Sequence, residues 1–191
     1  MARIDPVVAP YDDVAGPLLA AMMPSDADPI GLFRTLVRNP EMAAAMRGWG
    51  AYELGRRSSL TLRTREMVID RTCARCGCEY EWGVHVAVFG ERAGLDQRQV
   101  ASLAHGSPDD ACWTAPAERW LLRSVDELHD RSTINGATWS GLSAFFRPDQ
   151  ILDILLLAGW YHAISYAANA AEIELEPWAP RFVDVVDSAP G

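Results

Sequence analysis

The sequence has no positive charge to spare. Its 17 basic side chains face 26 acidic ones, for a net charge of −9. That balance excludes the electrostatic footprint of a protein that grips nucleic acid or an anionic membrane. A membrane-spanning run is not expected either, because the longest apolar stretch, 151–160, is broken by Asp153. The opening residues, MARIDPVVAPYDD, contain no apolar core of a secretion signal. Cysteine is scarce. Three of the four lie within residues 73–78, which is no extracellular disulfide framework, so a reducing cytoplasm is the expected compartment. Alternating strand patterns, fixed-period repeats and low-complexity tracts are absent too; Thr133-Ile134 is too short to count.

What remains is helical. A composition of 49% hydrophobic and 23% charged residues suits one soluble domain spanning 1–191. Asp28-Pro29 and Asn39-Pro40 are cap-and-proline pairs that each predict a helix start, with helices to about residues 38 and 55. Thr61 is a further cap, and Asp96-Gln97-Arg98-Gln99 is a capping box. Thr114, Asn135 and Pro148 open the remaining helices. The expectation is an all-α bundle of about eight helices without a substantial sheet. Residues 1–16 read as an extended arm, because Pro6 and Pro10 oppose a helix, and residues 172–191 as an irregular tail.

The chemistry concentrates in residues 60–95. Two helices are expected to meet there at a corner at Gly77. On the second, Cys78, Glu81 and His85 are spaced i, i+3 and i+7, which sets a thiol, a carboxylate and an imidazole on one stripe. A cysteine at a helix start tends toward a lowered pKa; the Glu81 carboxylate opposes that and a protonated His85 favours it. Glu66 sits among Met67, Val68 and Ile69, where a carboxylate needs a partner: His85, Arg63 or Arg65. Tyr80 and Trp82 are candidate pocket walls, and His162 a candidate to reach the same pocket. A zinc set of Cys73, Cys76, Cys78 and His85 is disfavoured because its ligands are not split into two separated pairs, so neither metal nor cofactor is expected. His105 and His129, near helix C-termini, read as structural.

Leu60, Arg63, Arg65-Glu66, Cys78-Glu79-Tyr80-Glu81-Trp82, His85 and Ala93-Gly94-Leu95 together resemble the carboxymuconolactone decarboxylase and alkylhydroperoxidase D (AhpD) superfamily. The resemblance runs more weakly through 116–119 and 126–130 to Tyr161-His162. In the peroxidase branch a glutamate precedes a CxxC pair and a histidine. Glu66, Cys78 and His85 fall on the glutamate, first-cysteine and histidine positions. Glu81 stands where that branch carries its peroxide-attacking cysteine.

The resemblance implies an AhpD-like helical bundle, a small-molecule substrate and a homo-oligomer, a trimer or hexamer. It also implies two activities. One is cofactor-free acid–base chemistry on a small carboxylated lactone or related ring-cleavage product, with His85 shuttling a proton, Glu66 orienting it, Glu81 as a second acid or base and Arg63 or Arg65 on a substrate carboxylate. The other is hydroperoxide reduction at Cys78, with His85 and Glu66 as its proton relay, the resolving thiol coming from Cys76, Cys73 or an external reductant, and Cys78 more reactive than Cys112. A non-catalytic oligomer that binds a small hydrophobic molecule is a third expectation, supported by the Ala- and Met-rich helix at 41–55.

Overall fold

The computed structural model describes residues 2–23 and 27–188. Its organising element is α4 (Leu62–Arg75), in which every residue from Arg65 to Cys73 is buried. A helix enclosed on all sides shows no single apolar stripe, which explains why residues 62–69 match a helical period only loosely. It packs against α5 (Glu79–His85), α6 (Gln97–His105), α7 (Pro116–Arg131) and α9 (Pro148–Ala170). The outer layer holds α1 (Ala15–Met22), α2 (Gly31–Leu36), α3 (Pro40–Glu53) and α8 (Gly136–Ser143). Among the described residues there are nine α-helices and no strand, so the fold is all-α.

Of the charged residues that α4 carries into the core, Arg65, Glu66 and Arg71 are paired. Arg71 donates to Asp126 at 2.7 and 2.9 Å and to the carbonyls of Ser102, Leu103 and Gly106. A guanidinium can be buried at this cost because its donors all find acceptors.

Local caps decide several helix starts. The side chains of Asn39, Thr61, Asp96 and Asn135 each accept backbone N–H groups of the first turn. Two starts differ from expectation. Thr114 caps nothing; α7 begins at Pro116 after Ala115. Asp28-Pro29 stays outside α2, which begins at Gly31. There the free N–H groups find distant partners instead: Gly31 donates to Glu176 Oε1 (2.6 Å) and Leu32 to the Tyr80 hydroxyl (2.9 Å). No local sequence signal carries a cap supplied from 145 residues away.

The corner after α4 is made by Gly77, whose φ of +62° is left-handed. Cys78 N–H then bonds back to Cys73 O (2.8 Å) and α5 begins. The second helix expected after Gly77 is really three pieces: α5, a wider π turn over Val86–Gly90, and turns ending at Gly94 (φ +67°).

Both ends of the chain fold back onto it. The arm bonds through Arg3 N–H to Ala171 O and Val7 N–H to Arg34 O. The tail closes with a 3-10 segment, Phe182–Ser188; Phe182 packs on Trp82 with centroids 4.8 Å apart. By length and composition α9 does reach membrane-spanning measure, with mean hydropathy 1.4, yet half of that window is buried inside the protein. Its Asp153 accepts hydrogen bonds from Tyr52, Ser58 and Ser59.

Candidate active site

Glu66 lies in mid-α4 with no solvent exposure. His85 closes α5 and brings Nδ1 within 2.7 Å of Glu66 Oε2. The other carboxylate oxygen, Oε1, accepts a hydrogen bond from Arg65 Nε and is ion-paired with Arg65 Nη2, both at 2.7 Å. Arg65 is itself held by the Leu54 carbonyl and lies over the Phe89 ring, 5.2 Å from its centroid. The π turn points Phe89 at the site, where its ring also flanks the His85 imidazole at 5.3 Å. From α9, Tyr161 meets the imidazole edge-on and sets its hydroxyl 2.9 Å from Nε2.

This geometry serves both protonation states of His85. With Nδ1–H donated to Glu66, a neutral ring accepts the Tyr161 hydroxyl proton at Nε2, and an imidazolium donates Nε2–H to the Tyr161 oxygen. Glu81 Oε2 stands 3.6 Å from Nε2, beyond hydrogen-bond length, and its Oε1 has no partner. Asp70, one turn along α4 from Glu66, is fully buried and neither of its oxygens has a hydrogen-bond partner.

Burial alone would lower the His85 pKa, but the Glu66 carboxylate, helped by Glu81 and Asp70, outweighs it and raises the value. Burial lifts Glu81 despite the opposing pull of His85. Burial, then the neighbouring Glu66 charge, lifts Asp70 well above the carboxylate range. The cluster therefore stores protons: an imidazole biased toward its charged form beside two carboxyls biased toward neutral.

The imidazole opens on a cavity of about 990 Å³ lined by apolar side chains that include Leu36, Met46, Val84, Val88, Trp160 and Ile164. Glu81, His85 and Tyr161 supply polar groups at one wall, and Arg34 lines the cavity too. The buried Nε of Arg34 has no hydrogen-bond partner.

Residues 40–127, a stretch that includes Glu66, Cys78, Glu81 and His85, match the carboxymuconolactone decarboxylase family. Over that stretch the chain is similar to the carboxymuconolactone decarboxylase family, which includes enzymes, and its fold is the AhpD-like helical bundle. The same fold occurs in an uncharacterized peroxidase-related protein from Silicibacter sp. TM1040 (TM-score 0.75, 19% identity, covering 94% of this chain and 96% of that one). It occurs in an AhpD-core peroxidase-related protein from Ralstonia eutropha JMP134 (0.74, 16%, 98% of both chains). It occurs also in the debrominase Bmp8, as a cysteine-to-alanine variant in complex with 2,3,4-tribromopyrrole (0.73, 14%, 96% and 95%). No curated protein sequence matches.

Within this site the structure brings Glu66, Glu81 and His85 together. Cys78 sits apart from the cavity wall, with no exposure, and burial pushes its thiol up to about 11. The helix-start bias toward thiolate is overridden by desolvation, the reverse of expectation. The four expected substrate contacts lie outside the cavity lining. Arg63 is held by Glu118 and the Gly94 carbonyl. Tyr80 donates to Glu176. Trp82 is buried against Phe182. His162 faces His129 instead. Tyr161 and Asp70 escaped sequence reasoning. Asp70 had a signal, a second carboxylate four residues after Glu66 on a helix otherwise apolar there. Tyr161 and Arg34 had none, since their roles arise only from packing.

Proposed function

We propose that this protein is a cofactor-free acid–base enzyme acting on a small cyclic carboxylated substrate, a lactone or related ring-cleavage product. The observation that carries this reading is His85: Nδ1 is held by Glu66, and Nε2 meets Tyr161 at the wall of an apolar cavity. In the decarboxylation the C–CO2 bond breaks and carbon dioxide leaves. The bonding electron pair passes through the ring carbon to a conjugated carbonyl, giving an enolate. The imidazolium Nε2–H then protonates carbon, and Glu81 or Asp70 resupplies the imidazole. Arg34, whose Nε is unpartnered, takes the anionic group that stays on the substrate. Arg63 and Arg65 are engaged elsewhere.

The hydroperoxidase reading is weaker, because Cys78 and Cys73 are both without exposure. The cavity suits a flat apolar ring, and a ring of that class, 2,3,4-tribromopyrrole, is bound by the Bmp8 variant. We further propose a homo-oligomer, supported by the exposed apolar residues Leu152, Leu156 and Tyr166 on α9.

The test is carbon dioxide release from a panel of carboxylated lactones by wild type, His85→Gln and Glu66→Gln. At least a hundredfold loss of kcat in His85→Gln, with the cavity still filled by substrate, is expected. Unchanged turnover in both variants would overturn the assignment.

A further inference from the structure

Three side chains outside the proposed catalytic cluster converge at the far end of α4. Cys76 caps that helix. Its Sγ lies 3.8 Å from Nδ1 of His129, in the last turn of α7. The same Nδ1 lies 3.0 Å from Nε2 of His162 on α9. All three donor atoms fall within 4.8 Å of one another, and all three residues are half-buried.

We propose that Cys76, His129 and His162 form a binding site for a zinc-class divalent cation. Ordinary zinc–ligand lengths in a tetrahedron put two nitrogens about 3.3 Å apart, and nitrogen and sulfur about 3.6 Å apart. The two observed separations lie within a few tenths of an ångström of these. The donors are thiol and imidazole, the set that zinc takes in three-ligand sites with a fourth position left for water.

The hydrogen bonds point the same way. His162 Nδ1 donates to the Ala158 carbonyl at 2.8 Å, which fixes the tautomer and leaves the Nε2 lone pair facing His129. A cation between the rings satisfies both lone pairs at once. A single shared proton joins only the histidine pair and leaves the Cys76 thiol in a long, weak hydrogen bond to His129 at 3.8 Å. The ligands come from three helices of the bundle, so the site is largely assembled before the ion arrives. Nearby arginines are already balanced: Arg75 pairs with Asp130 and Asp126, and Arg71 with Asp126. Bound metal would pin the corner at Gly77, directly before the helix that carries Glu81 and His85.

Zinc uptake by the reduced full-length protein tests this, by competition with a chromophoric chelator. Cobalt(II) serves as the spectroscopic probe. Expected are one ion per chain, tetrahedral d–d bands, and a thiolate-to-cobalt charge-transfer band. Cys76→Ser removes that band. Cys76→Ser, His129→Gln and His162→Gln each weaken zinc at least tenfold, while Cys112→Ser binds as wild type. Wild type that takes up neither ion overturns the site. So does cobalt binding without a charge-transfer band, or uptake undiminished in all three variants. The cobalt readout needs only wild-type protein, so a variant that fails to fold does not leave the question open.

Discussion

At the scale of the residue, carboxyl burial is the dominant theme. Glu53 is a case away from the His85 cluster: it has no exposure, neither oxygen has a partner, and burial followed by the Asp153 charge lifts its pKa to about 7. A folded-state value above the unfolded one means that the folded protein holds its proton more tightly. The stability this brings is full below the unfolded value of about 4.3 and is lost as pH rises through about 7. Glu53→Gln should therefore raise the urea midpoint at pH 8 and change it little at pH 4. An equal shift at both would show that the carboxyl does not titrate there. Burial also decides thiol order. Cys78 is sealed, whereas Cys76 and Cys112 are half-buried, so competitive alkylation with peptide mapping should label those two first. That inverts the order expected from helix-start position, and early labelling of Cys78 would restore it.

At the scale of the element, the corner between α4 and α5 aligns His85 with Glu66. No atom stands within 4 Å of where a Cβ on Gly77 would be, so its φ of +62° alone resists substitution. Gly77→Ala should cost about 1–2 kcal/mol in chemical denaturation, and Gly77→Asn less, because asparagine tolerates the left-handed region better. Equal costs for the two would mean that the corner relaxes. Much of this level was legible beforehand. The Asn39, Thr61, Asp96 and Asn135 caps are local chemistry, and so is a glycine between two helices. The start of α2 was not legible, because Glu176 and Tyr80 cap it from distant segments. Nor was the π turn, although it sets Phe89 between Arg65 and His85. The Glu66–His85 pairing could be anticipated, since a buried carboxylate needs a cation. Tyr161 could not, for nothing in a lone Trp-Tyr-His triplet says which ring faces inward.

At the scale of the whole molecule, the exposed faces bear on the proposed self-association. Leu152 and Leu156 are a turn apart on α9 and more than half exposed, at 60% and 52%. An apolar stripe on a helix otherwise packed into the core suits a second copy of the chain. Sedimentation should show an oligomer that a Leu152→Glu, Leu156→Glu double variant shifts toward monomer; a monomeric wild type would remove the basis for the stripe's role.

The enclosure of the cluster has an isotopic consequence. Glu66 and Asp70 have no exposure, and Glu81 and His85 almost none. The imidazole is gripped at both nitrogens and flanked by Phe89, and the cluster meets its surroundings at the cavity wall. On the proposed decarboxylation each turnover spends one proton of this small pool on the substrate carbon, so the pool must refill from the medium before the next. In heavy water the product would therefore gain one deuterium, at the carbon that lost carbon dioxide.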